Sequence, residues 1–123
     1  LGLRAAFTWV RSGEMADEMN DPLYKLNSKI FSQHLNSQFI VHVDGAPSIT
    51  LELREVNEPP SPPNIEMFSL IFNGPQAPRL NQQIHQLEHA VLGKIGLFLT
   101  TVGADQQSTS YESVFHRLRP AAK

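Results

Sequence analysis

Residues 38–56 read QFIVHVDGAPSITLELREV, and this stretch decides the fold. Phe39, Val41 and Val43 alternate with Gln38, Ile40 and His42; Asp44-Gly45 follows; then Ile49, Leu51 and Leu53 alternate with Thr50, Glu52 and Arg54. Successive side chains of a strand point to opposite faces, so an apolar set recurring at every second residue marks a half-buried strand. Asp-Gly between two such runs is a turn signal. The spacing predicts strands over about 38–43 and 49–56.

The same period continues toward the C-terminus. Pro59, Pro60, Pro62 and Pro63 cannot feed a sheet ladder, so residues 57–64 read as a stiff, exposed connection of polyproline character. Phe68, Leu70 and Phe72 then alternate with Met67, Ser69 and Ile71, and Gly74-Pro75 ends that run. Gln83 to His89 is a fourth strand with His85, Leu87 and His89 on one face. Lys94 to Val102 is a fifth, in which Gly96 suggests a bulge or bend. Ser110 to Leu118 is a sixth, with Tyr111, Ser113, Phe115 and Arg117 opposite Glu112, Val114, His116 and Leu118. The expected fold is mainly β: a small antiparallel barrel or sandwich of about six strands, with one short N-terminal helix and an N-terminal extension.

Toward the N-terminus the period changes. Asn27 or Ser28 caps a short helix over about Ser28 to Leu35, with Ile30, Phe31 and Leu35 as its apolar face, and Asn36-Ser37 breaks it. Residues 1–25 form an extension. Leu3, Ala5, Phe7 and Trp9 alternate with Arg4, Ala6, Thr8 and Val10, which reads as a strand. Ser12 caps a second helix through Met19, placing Met15 and Met19 on one face before Asp21-Pro22. The expected organisation is an arm over 1–25, a β-barrel-like domain over 26–118 and a tail over 119–123.

At 123 residues the chain fits one domain with a real core. Its 41% hydrophobic and 18% charged residues are those of a soluble globule. A net charge of −2 provides no basic field, which argues against nucleic-acid or anionic-membrane partners. The absence of cysteine removes disulfides, thiolate metal sites and cysteine nucleophiles. No apolar run reaches the length of a membrane helix, and the first ten residues lack the pattern of a signal peptide.

The segments Phe39–Gly45, Phe68–Pro75, Leu87-Glu88-His89 with Leu92-Gly93, Leu97-Phe98-Leu99, Val102-Gly103 and Tyr111–Leu118 occur in this order. Together they resemble an uncharacterised bacterial family of short β-barrel-like proteins, a domain of unknown function, over about 26–118. The resemblance implies no activity, cofactor or catalytic residue. It associates such proteins with phage-tail-collar-like surface proteins. Gln83 stands where that family usually has Gly, and His85 where it usually has an aromatic residue.

No catalytic, metal-binding or cofactor-binding constellation emerges. His85 and His89 are four apart with Glu88 beside them, but four strand residues span roughly 13 Å, too far to share an ion. Local hydrogen bonding of both is expected. No nucleophile-elbow or phosphate-cradling glycine pattern is present. Glu52, Glu55, Glu58 and Glu66 read as scattered on outward faces, without the facing pair that a glycosidase needs. Tyr111 reads as core. Phe7, Trp9 and Tyr24 are the candidates for stacking on a sugar or a partner.

The expectation is therefore a non-enzymatic structural subunit whose arm packs on a neighbouring copy through Leu3, Phe7, Trp9, Met15 and Met19, with strand addition as one route. A surface filament or phage-tail-like assembly, outside the cell or at its surface, suits this reading. The alternative is a small carbohydrate- or peptide-binding β module using a barrel face or the Pro59–Pro63 loop.

Overall fold

The structure is a computed structural model that describes residues 26–118. The expected arm strand, the Ser12–Met19 helix, the residues Leu3, Phe7, Trp9, Met15 and Met19, and the tail lie outside the described residues. Helix α1 spans Ser28–Ser32 and is followed by strands β1 (Gln38–His42), β2 (Ile49–Asn57), β3 (Ile65–Pro75), β4 (Gln83–His89), β5 (Gly93–Ala104) and β6 (Ser108–Leu118). All neighbours pair antiparallel in the order β1-β2-β3-β6-β5-β4, and β4 pairs back onto β1. Of the two expected architectures, the closed barrel is the one formed.

The alternation read in the sequence sets the inside of the barrel. Phe39, Val41, Leu51, Leu53, Phe68, Leu70, Phe72, Leu87, Ile95, Leu97, Leu99, Tyr111 and Phe115 are buried. Each side chain of this kind contributes roughly 1.5–3 kcal/mol when taken out of water. The two ends of the barrel differ. Register pairs the start of β3 with the end of β6, Ile65 opposite Leu118. Here α1 closes the opening: Phe31 is fully buried, 6.1 Å from Phe68 and 5.9 Å from Phe115 between ring centroids. This is the plugged pole. The opposite, open pole carries the end of β1 and the starts of β2 and β4.

Asn27 is the helix cap, its Oδ1 accepting the Ile30 N–H at 2.9 Å. The helix is shorter than expected. Asn36 takes φ +67°, a left-handed conformation that Asn tolerates, and the chain turns into β1. Leu35 falls in that turn and is exposed rather than part of the apolar face.

Two further expectations are corrected. Gly96 sits in regular register opposite Gln86, and the irregularities lie between Leu53 and Glu55 and between Thr101 and Gly103. Gly74-Pro75 ends β3 as expected, the strand's last two residues standing in register opposite Thr109 and Ser108. A side chain at Gly74 would press on Leu51 Cδ2, so the missing Cβ is what lets β3 run this far beside the core. Glu66 is not on an outward face. It shares parity with Phe68, is buried, and meets the Arg117 Nε at 2.9 Å across the β3–β6 pair. The Pro59–Pro63 connection is exposed along most of its length, as expected. Among the described residues no helix is long and apolar enough to cross a membrane.

Candidate functional site

Polar side chains gather beside two surface pockets of the described barrel. The first is at the plugged pole, where closure of β1 onto β4 sets Ser37 beside His89. Ser37 Oγ lies 2.9 Å from His89 Nε2, the spacing of a Ser–His nucleophile pair. The hydrogen bonds around it run the other way. His89 Nδ1 accepts the N–H groups of Val91 and Leu92 at 3.0 and 3.1 Å. A ring nitrogen that accepts holds no proton, so the neutral ring carries its proton on Nε2. That proton is donated to Ser37 Oγ, and the hydroxyl donates onward to the His34 carbonyl. His89 therefore cannot take the hydroxyl's proton in this arrangement. The chain of bonds holds the α1–β1 turn to the β4–β5 turn.

Burial pushes the His89 imidazole below its ordinary range, and the His34 ring beside it adds to the effect. The ring centroids are 4.8 Å apart. Protonating Nδ1 would also turn that acceptor into a donor facing two N–H donors. In the unfolded chain His89 takes a proton near pH 6.5, whereas in the barrel it does so only at lower pH. Between those values the unfolded state holds more protons, so acid favours unfolding. This contribution to stability is complete above about pH 6.5 and is lost as pH falls through the lowered value. Urea midpoints of the wild type should decline from pH 7.5 to 5. His89→Gln should be less stable at pH 7.5 and decline less. Equal slopes for both would show that His89 does not carry the effect.

The second place is a cleft at the open pole with a volume of about 570 Å³, within the rough 300–1,000 Å³ range of ligand sites. One wall is the β1–β2 turn, from Val43 to Ile49, where Gly45 takes φ +72°. The other wall is the β3–β4 connection and the start of β4. Leu80 anchors that connection, its N–H donating to the buried Tyr111 Oη at 2.9 Å. His85 Nε2 bonds the Asn81 carbonyl at 2.7 Å. Tyr111 is core, as read from the sequence, and it also positions a loop at this cleft.

The cleft exists because β1 and β4 part company. Their register runs from Ile40 opposite Glu88 to His42 opposite Gln86 and stops there. Gln83, Ile84 and His85 continue to pair with Leu99, Phe98 and Leu97 of β5. Among the described residues they have no strand partner on their other side, and that side borders the cleft.

The structure does not bring His85 and His89 together. Each has its own partner, as expected for sheet histidines. Among the described residues no group of three or more His, Asp or Glu side chains could hold a metal ion. Sequence reasoning missed both the Ser37–His89 bond and the cleft. The first joins residues 52 apart, and the second is a product of barrel closure.

No curated protein and no solved structure matches this chain. A family model described as Domain of unknown function (DUF6916) matches residues 26–115, from the residue before the helix cap to the core of β6, and the chain belongs to that family.

Proposed function

We propose that the protein is a non-enzymatic structural subunit whose N-terminal arm, residues 1–25, packs on a neighbouring copy. The observation that carries this reading is that the barrel fills its own interior. Its buried core is supplied by Leu26, α1, six strands and the loop residue Leu80. Leu3, Phe7 and Trp9 must then seek another surface, because soluble chains rarely leave a contiguous apolar strip in water. A contact between an arm and the body of the next copy is heterologous, and it produces a ring or an open filament. A surface filament or phage-tail-like assembly is the setting that uses such a contact.

The test compares the full chain with a full-length F7D/W9D variant by light scattering over a concentration series. The full chain should gain mass with concentration and the variant should remain a monomer. A full chain that stays monomeric throughout would overturn the proposal.

A second reading, a small carbohydrate- or peptide-binding module, is favoured by the cleft at the open pole. It differs in one respect that can be measured: its ligand binding would be indifferent to Phe7 and Trp9.

A further inference from the structure

We infer that the docking site for the arm is the open-pole cleft, where the stretch around Leu3–Val10 of a second copy adds as a strand to the free edge of β4 at Gln83–His85. The inference rests on the assembly reading and names the surface that receives the arm.

Strand addition needs an unpaired edge, and a closed barrel offers few. Around most of this barrel each strand is hydrogen-bonded on both sides. Edges remain only where one strand outruns its neighbour. Thr100–Ala104 of β5 outrun β4 and Arg54–Asn57 of β2 outrun β1 in this way, but neither stretch lines the cleft. Gln83–His85 instead form one wall of a concavity, with Val43, Pro47, Ile49 and Leu80 opposite or below. An added strand would gain main-chain hydrogen bonds from β4 and set alternate side chains against these apolar residues, which His42, Asp44, Arg79 and Gln86 flank.

The arm has the matching pattern. In the sequence Leu3, Ala5, Phe7 and Trp9 alternate with Arg4, Ala6, Thr8 and Val10, so that in a strand the bulky residues would share one face. The set with Leu3, Phe7 and Trp9 would face the cleft, and the set with Arg4 and Thr8 would face solvent.

The poles supply the polarity. Arg117 Nη2 donates to the Leu26 carbonyl, which fixes the start of the described chain at the plugged pole. The cleft is at the other end. When copies are stacked in one direction, the plugged pole from which one arm departs faces the open pole of the next. A single subunit's own arm, extended to at most roughly 90 Å, is long enough to turn back as well, so the experiment separates the two.

The full-length F7D/W9D variant serves as receptor for a synthetic peptide of residues 1–11, followed by ¹⁵N amide shifts. Shifts should concentrate at Gln83–His85 and in the turn from Val43 to Ile49. A peptide N-methylated on alternate residues should bind about tenfold more weakly or worse, because it cannot complete the ladder. In the full chain, Ile84→Glu should weaken self-association by about tenfold or more with an unchanged thermal transition, since this side chain is 45% exposed. If Ile84→Glu assembles normally and the peptide shifts map elsewhere, the inference fails while the assembly reading stands. A monomeric full chain whose cleft amides differ from those of F7D/W9D would show the arm folded back on its own barrel, and both would fall.

Discussion

Arg117→Ala is expected to lower the unfolding free energy by about 3–5 kcal/mol, because it strands a carboxylate inside the barrel. Glu66 and Arg117 retain only 7% and 14% of their side-chain exposure. The Arg117 guanidinium meets Glu66 Oε1 through Nε at 2.9 Å, donates through Nη2 to the Leu26 carbonyl, and sits 5.3 Å from the Phe115 ring centroid. Removing it leaves Glu66 charged in a setting that cannot solvate it, loosens Leu26 and uncovers an aromatic face. Charge burial is the largest of these effects, and this yields a sharper expectation. Glu66→Leu/Arg117→Met together should cost less than Arg117→Ala alone, because no orphaned charge remains. Urea unfolding of the three proteins checks both statements. If the double variant were the least stable, the pair itself, rather than the stranded charge, would be the source of the stability.

That pair also shows how much the sequence contains and where it stops. Parity alone puts Glu66 with Phe68, Leu70 and Phe72, and Arg117 with Tyr111, Ser113 and Phe115; the structure follows both rows inward. The expectation of an outward Glu66 set residue type above the strand's own period. What the sequence does not contain is that the two rows meet. Pairing of β3 with β6 skips two strands in the chain, and nothing local specifies it. The same holds for the cleft. Its walls were legible as a turn after β1 and a loop before β4, but their separation depends on where the β1–β4 ladder ends. Local signals fared better: the cap at Asn27, the break at Asn36 and the face of every strand follow from side-chain chemistry within a few residues. Gly96 stays in regular register because a glycine in a strand permits a bulge without requiring one. The irregularity in β5 comes instead at Thr101–Gly103, where the strand has outrun β4.

Phe31→Ala should cost about 3–5 kcal/mol, the range for emptying a large buried aromatic site. Phe31 belongs to a helix of five residues, too short to persist alone. What keeps it in place is tertiary: a fully buried ring against Phe68 and Phe115, which are themselves stacked 4.4 Å apart at 8°. Truncation leaves a void beneath that stack and removes the main apolar anchor of α1. Phe31→Leu keeps most of the volume and should cost less than about 1.5 kcal/mol. Arg117 lies over the same two rings, 5.8 Å from Phe68 and 5.3 Å from Phe115, so the two sites share partners. Their effects should not add: Phe31→Ala/Arg117→Ala should lose less than the sum of the single losses, since either change alone already loosens the plugged pole. A double-mutant cycle by urea unfolding measures that difference. Strict additivity would mean that the ion pair and the helix plug close the barrel independently. A coupling above about 0.5 kcal/mol would make them one unit that holds residue 26, and with it the departure point of the arm, against the end of β6.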